Sequence, residues 1–316
     1  MKYYITGDCH RHFRKVEFFC RHHGTTREDV LILLGDVGIN FFLDDSDKKL
    51  KEELSKLPIT LFCVHGNHEE RPEYIGSYYK KIWCGGAVSF EPQYSNILFA
   101  IDGEIYKFGK KKGIVIGGAY SVDREYRLLA GLPWFQSEQP SEKVKKRVEK
   151  ELDKNGWKVD YVFSHTCPLL YEPTPKEVIG SESEKIDRST EEWLDSIAKK
   201  LQYTKWYFGH YHDNIQYADA ELLYEGIKEL GKEDYLQKLG RPKYRVGEKV
   251  FFLYGKEQEG YGTISVVDGY GTFGQVREVS YDIMGFDCNE PESRILFKHI
   301  EESKVQRFEE MLDESL

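Results

Sequence analysis

Five short apolar runs punctuate the first two thirds of this 316-residue chain, and each breaks off at a polar turn. Residues 2–6 run into Gly7-Asp8-Cys9-His10, residues 30–34 into Gly35-Asp36, and residues 59–64 into His65-Gly66-Asn67-His68-Glu69. Residues 159–163 run into Ser164-His165, and residues 205–208 into Gly209-His210-Tyr211-His212. Runs of this length between turn residues predict buried strands. Elsewhere the apolar spacing lengthens to three and four. Phe13, Val16, Phe19, Cys20 and His23 predict a helix that Gly24 stops. Leu50, Leu54 and Leu57 predict a helix over residues 46–57, closed by Pro58. Ser141 caps a helix with Val144, Val148 and Leu152 on one face, and Ser189-Thr190-Glu191-Glu192 reads as a capping box before Trp193, Ile197 and Leu201. Strands alternating with helices define an α/β chain.

The texture changes twice. Residues 97–101, Asp102-Gly103 and residues 104–108 predict a hairpin, because Asp-Gly suits a type I′ turn, and residues 113–120 add a strand. Residues 121–140 form a loop-rich insertion carrying Asp123, Arg124, Arg127, Trp134 and Phe135, with Arg124 the candidate phosphate contact. A second long loop, residues 169–187, follows His165. Residues 219–239 predict a helix, broken by Gly240-Arg241-Pro242. Short strands over residues 250–254, 262–267, 275–283 and 295–299 then predict a small β-barrel, SH3-like in its spacing. The expected domains are therefore 1–239 and 240–316.

Charge and cysteine usage narrow the setting. With 45 basic and 54 acidic residues the net charge is −9, which argues against broad nonspecific nucleic-acid binding. Residues 241–316 hold 10 basic and 15 acidic residues, a net of −5. No run approaches the roughly 18 apolar residues of a membrane span. The first strand starts at once, without room for a signal peptide. Six cysteines without a Cys-x-x-Cys pair fit reduced thiols in a cytoplasmic protein.

The chemistry lies at the strand ends. Asp8, His10, Asp36, Asn67, His165, His210 and His212 are seven potential ligands at the edge where open α/β sheets bind. Seven exceed one tetrahedral ion but suit two ions that share a carboxylate. His68 adds a proton carrier that titrates near neutrality, and Glu69 is a candidate to orient it. Cys9 sits between Asp8 and His10, so in extended chain it points away from them and reads as structural.

The order Asp-x-His, Gly-Asp, Gly-Asn-His-Glu, His, Gly-His-x-His over residues 8–212 resembles the calcineurin-like metallophosphoesterases. The resemblance implies a four-layer αββα sandwich of two mixed β-sheets, with the barrel as an added module. It implies two divalent ions, one held by Asp8, His10, Asp36 and His212, the other by Asp36, Asn67, His165 and His210. A metal-bridging hydroxide would attack the phosphate ester in line, and His68 would protonate the leaving oxygen. Carboxylate, amide and imidazole donors suit manganese first, with iron or zinc as alternatives. One departure is informative. Protein Ser/Thr phosphatases of this fold continue Gly-Asp-x-x-Asp-Arg, whereas here Ile39 and Asn40 follow Gly35-Asp36-Val37-Gly38, and Arg11 replaces the usual glycine after His10. That favours a bacterial-type phosphomonoesterase or phosphodiesterase acting on a phosphorylated small molecule, nucleotide or phosphoprotein. A Ser/Thr protein phosphatase, or a scaffold binding a partner through the C-terminal module, is the alternative.

Overall fold

A computed structural model of the chain describes residues 1–173, 186–217, 219–224, 226–231, 242–244, 246–256, 258–268, 278–288 and 290–307. The chain divides into two units, Met1–Leu230 and Gly231–Leu316. The first opens with β1 (Tyr3–Thr6), α1 (Arg14–His23), β2 (Val30–Leu33), α2 (Asp45–Leu54) and β3 (Thr60–Cys63). Four antiparallel-edge and crossover strands follow: β4 (Tyr79–Trp83), β5 (Gly86–Phe90), β6 (Ile97–Ala100) and β7 (Ile105–Phe108). Then come β8 (Lys111–Ile116), α3 (Arg124–Leu129), α4 (Glu142–Lys154), β9 (Tyr161–Ser164), α5 (Ser189–Ala198) and β10 (Lys205–Phe208). The short strands β11 (Ile215–Gln216), β12 (Ala220–Leu222) and β13 (Lys228–Glu229) complete it.

These strands form two mixed sheets, ordered β13-β1-β2-β3-β6-β5-β4 and β11-β12-β10-β9-β8-β7. In the first, β1, β2, β3 and β6 are parallel; in the second, β8, β9, β10 and β12 are. Alternation along each strand builds three cores, since successive side chains point to opposite faces. Leu31, Leu33, Leu61 and Cys63 meet Val16, Phe19 and Cys20 of α1 and Leu54 of α2. Val30, Ile32, Phe62 and Val64 point the other way, onto Tyr106, Phe108, Val115, Phe163 and Tyr207 of the second sheet. Ile114, Ile116, Val162, Trp206 and Phe208 cover the far face against Val144, Val148 and Leu152 of α4 and Leu194 and Ile197 of α5. The result is helix, sheet, sheet, helix. Full burial of each such aliphatic or phenyl side chain contributes about 1.5–3 kcal/mol.

Four sequence expectations fail, each for a tertiary reason. Residues 97–108 are not a hairpin: β6 pairs with β3 and β5, while β7 pairs with β8 in the other sheet. Asp102 sits in a crossover, buried, accepting hydrogen bonds from Gly117 N–H (2.7 Å) and Arg71 Nη1 (2.5 Å). The tight two-residue hairpin lies between β4 and β5, where Cys84 and Gly85 have φ of 48° and 90°. Residues 220–222 and 228–229, expected to be helical, are strands: β12 pairs with β10 and β11, and β13 is an edge strand on β1; residues 232–241 lie outside the described residues. The capping box is not formed. Thr190 Oγ1 donates to Gln139 (2.6 Å), Glu191 binds Thr166, and Asp187 accepts from Ser189 N–H (2.9 Å). Finally, α2 stops at Leu54, short of Pro58. Most of the loop after His165, residues 174–185, lies outside the described residues.

The second unit holds β14 (Lys249–Tyr254), β15 (Gln258–Asp268), β16 (Ser280–Asp287), β17 (Glu290–Glu301) and β18 (Val305–Arg307). They form one antiparallel sheet, β17-β16-β15-β14-β18, over its own core of Tyr244, Val250, Phe252, Ile264, Tyr281, Ile283 and Phe297. The expected break at Gly240-Arg241 lies outside the described residues.

Candidate metal centre

Parallel strands end on one edge, so the turns after β1, β2, β3, β9 and β10 converge. Asp8 and His10 follow β1, Asp36 follows β2, Asn67 and His68 follow β3, His165 follows β9, and His210 and His212 follow β10. Three groups of ligand atoms lie within 4.8 Å of one another: Asp8–His10–His212, His10–Asp36–His68 and Asp8–Asp36–His165. Asp36 is central. Its Oδ1 is 3.3 Å from His165 Nε2, and its Oδ2 is 3.7 Å from His10 Nε2 and 3.9 Å from His68 Nε2.

Two glycines make that approach possible. A Cβ on Gly66 would lie 2.1 Å from both Asp36 N and Asp36 Oδ1. Gly35, at φ +98°, would put one 2.2 Å from His165 Nδ1. The turns themselves are unusual. Among the described residues nine non-glycine residues have positive φ, and four of them are His10, Asp36, His210 and His212. Such conformations are costly and concentrate where function requires them.

Hydrogen bonds aim the donors inward. Leu34 O accepts from His165 Nδ1 (2.7 Å), which leaves Nε2 to face Asn67 Oδ1 at 2.8 Å. Asn67 Nδ2 donates to Ser121 Oγ (3.0 Å), turning its oxygen toward His165. His68 N–H donates to Asp36 Oδ1 (2.8 Å), and His210 N–H to Asp8 Oδ1 (3.0 Å). Burial opposes ionisation of Asp36, yet His165, His68 and His10 outweigh it and hold the carboxyl well below its usual range. Asp8 is likewise lowered: burial opposes it, and His10 and His212 prevail. Burial also disfavours a charged His165, but Asp36 and Asp8 raise it to about 9. His210 is pushed down to about 3 by burial and by His165.

The donors fit divalent cations. Asp8 Oδ2 is buried without a hydrogen bond among the described residues, 3.1 Å from His212 Nε2. His10 Nε2 and His212 Nε2 face each other at 2.8 Å. Lone pairs from two buried carboxylates and several imidazoles converging on one space are what a hard or borderline cation requires. Cys9 takes no part: it is buried, with Sγ 4.0 Å from Gly7 O.

One position departs from the sequence reading. Glu69 does not orient His68. Its two oxygens accept from Gly66 N–H (3.0 Å) and Gly38 N–H (2.8 Å), tying the turns after β3 and β2 together. The carboxylates facing His68 Nε2 are Asp123, at 3.8 Å, and Asp36, at 3.9 Å. Arg124 stacks on Trp134, 4.0 Å from the ring centroid. Arg127 is the buried arginine of that segment, with Nε 3.1 Å from Asp123 Oδ1. Ile39 lies in the apolar core, Asn40 Oδ1 accepts from Tyr78 (3.0 Å), and Arg11 clamps Gly38 O (2.7 Å) and Asp47. Ser121 and Asp123 went unassigned because no ligand type sits directly at the end of β8. Their placement follows from strand direction: β8 is parallel to β9, so its following turn reaches the same edge.

A helix–sheet–sheet–helix sandwich with aspartates and histidines gathered at one edge is the arrangement of a metal-dependent hydrolase of phosphate esters. Residues 1–214 match the calcineurin-like phosphoesterase family, and the chain belongs to it. Among solved structures, the phosphopantetheinyl hydrolase PptH of Mycobacterium tuberculosis is similar at 12% identity and a TM-score of 0.40, covering 74% of this chain and 98% of that one. A further solved structure is similar at 14% identity and a TM-score of 0.40, covering 72% of this chain and 95% of that one. No curated protein matches. Among the described residues no helix is long and apolar enough to cross a membrane.

Proposed function

We propose that this phosphoesterase cleaves phosphomonoesters or phosphodiesters, with Asp8, His10, Asp36 and His212 holding one cation and Asp36, Asn67, His165 and His210 the other. The observation that carries this division is Asp36, whose two oxygens face two different sets of nitrogens. Bound there, divalent cations supply an activated water at neutral pH and a positive field against phosphoryl charge. Manganese is the first choice, with iron or zinc as alternatives; carboxylate, amide and imidazole donors suit all three. His68 protonates the departing oxygen: its ring borders the cluster and is partly exposed, so a leaving group can reach it. Burial lowers the His68 pKa, with Asp36 opposing.

Ile39 and Asn40, standing where the Ser/Thr phosphatases have aspartate and arginine, support small phosphorylated molecules or nucleotides over phosphoprotein chemistry. Six unpaired thiols support a cytoplasmic setting. The C-terminal unit is proposed to be a separate, barrel-like domain. Phe252 of β14 and Phe297 of β17 have ring centroids 4.8 Å apart, although three strand steps separate them in the sheet. A flat sheet would set them about 14 Å apart at the usual spacing, so the sheet curls on itself. The test of function is a panel of phosphomonoesters, phosphodiesters and cyclic nucleotides assayed with manganese. Turnover of none of them, by a chain shown to contain metal, would overturn it.

A further inference from the structure

Arg127 is 1% exposed in relative accessible surface, and burying a guanidinium costs several kcal/mol unless its partners offset it. Its partners form two arms. On one side Nη2 donates to Ser121 Oγ, the same oxygen that accepts from Asn67 Nδ2 at 3.0 Å. On the other side the contacts are electrostatic: Nε lies 3.1 Å from Asp123 Oδ1 without a directed hydrogen bond, and Asp123 Oδ2 lies 3.8 Å from His68 Nε2, opposite Asp36 Oδ2 at 3.9 Å. Nη1 donates to Pro133 O (3.3 Å), which holds the guanidinium plane in place. Glu138 closes the network from behind, accepting from Ser121 Oγ (2.5 Å) and Trp134 Nε1 (2.7 Å).

The molecule contains its own contrast. Lys51 and Glu91 form another buried ion pair, at 2.6 Å, with Lys51 packed on Tyr78. That pair joins α2 to the segment before β6 and ends on no site residue, so it serves the fold. Arg127 differs because both of its arms end on the site.

We propose that Arg127 is a positioning residue that sets the two functional groups at once: the Asn67 amide through Ser121, and the His68 imidazole through Asp123. The inference rests on the dimetal phosphoesterase reading above. One planar fork makes the two arms geometrically dependent, so a shift of the α3 segment moves metal ligand and proton donor together. Ser121 is then what keeps Asn67 Oδ1, rather than Nδ2, directed at the cation.

The test uses the full chain, manganese alone as the metal probe, and two esters, of nitrophenol and of a simple alcohol. Arg127→Met should weaken uptake of one manganese by about 10–100-fold, the usual effect of losing a group behind a ligand. It should also slow the alkyl ester more than the nitrophenyl ester. Ser121→Ala should reproduce only the metal defect, and Asp123→Asn only the leaving-group-dependent defect. Arg127→Lys, with one ammonium in place of a fork, should restore one arm at most. A folded Arg127→Met chain with native manganese affinity and equal losses on both esters would overturn the proposal. If Arg127→Met fails to fold, Ser121→Ala and Asp123→Asn decide, and identical defects in those two would overturn it. A wild-type chain that takes up no manganese would overturn the metal reading itself, a result recognisable before any variant is made.

Discussion

In Met1–Leu230 the strands that carry the site run parallel, whereas every strand pairing described in Gly231–Leu316 is antiparallel. Parallel strands bring all their carboxyl ends to one edge, and antiparallel neighbours send theirs to opposite edges. The second unit has the same residue types. His299 Nδ1 lies 3.5 Å from Asp282 Oδ1, and His299 has a φ of 57°. They meet beside a register shift between β16 and β17, and among the described residues they belong to no group of three metal-binding side chains. Among the described residues, every group of three metal-binding side chains comes from the first unit. Strand direction therefore decides whether residues placed at strand ends become a site.

The comparison breaks most completely if Asp36 is dispensable. Asp36→Asn should abolish hydrolysis and reduce bound metal from two ions toward one or none. Metal analysis that finds two ions and near-normal turnover would remove Asp36 from its central place. The next largest effect belongs to His68→Asn, which should keep both ions and slow turnover by roughly 10²–10⁴. That loss should shrink for nitrophenyl esters, so equal losses on alkyl and nitrophenyl esters would deny His68 the acid role.

Close approach of the turns is the third point to test. Gly66→Ala would press a Cβ against the Asp36 backbone, at a cost of about 1–3 kcal/mol in stability, with weakened metal binding. Unchanged melting temperature and metal content would show that the turn shifts freely. Removing the antiparallel unit should matter less. A chain ending at Leu239 keeps β13, which pairs with β1, and should hydrolyse a nitrophenyl ester within about tenfold of the full chain, about 1.4 kcal/mol in barrier. A folded, metal-loaded but inactive truncation would give the second unit a share in the site.

The smallest effect concerns the helix behind one turn. Glu191 in α5 accepts from Thr166 Oγ1 (2.6 Å), and burial raises its carboxyl above the ordinary 4.5 although Thr166 opposes the shift. A raised folded-state value means that its contribution to stability is complete below pH 4.5 and is lost as pH rises through the folded value. Glu191→Gln should therefore gain on wild type as pH rises from 4.5 to 8, by a few degrees of melting temperature at most. Melting curves with a constant difference across that range would contradict this.

The sequence alone marked the candidate ligands and the strands that they follow. Asp8, His10, Asp36, Asn67, His165, His210 and His212 each follow an apolar run directly, and strand periodicity and turn chemistry are local properties of neighbouring residues. Partner choice is not local. Asp102-Gly103 has the composition of a hairpin turn, yet it crosses between sheets because Arg71 and Gly117 claim the carboxylate. Ala220–Leu222 became a strand because β10 offered unpaired backbone groups beside it, and β11 covers its other side. Glu69 turned to the backbone of Gly38 and Gly66 instead of to His68 because those buried N–H groups had to be satisfied. Asp123 and Arg127 reached the site through a turn whose direction depends on β8 lying parallel to β9. Those pairings are set by which faces and edges meet once the sandwich closes, and only the tertiary structure holds that information.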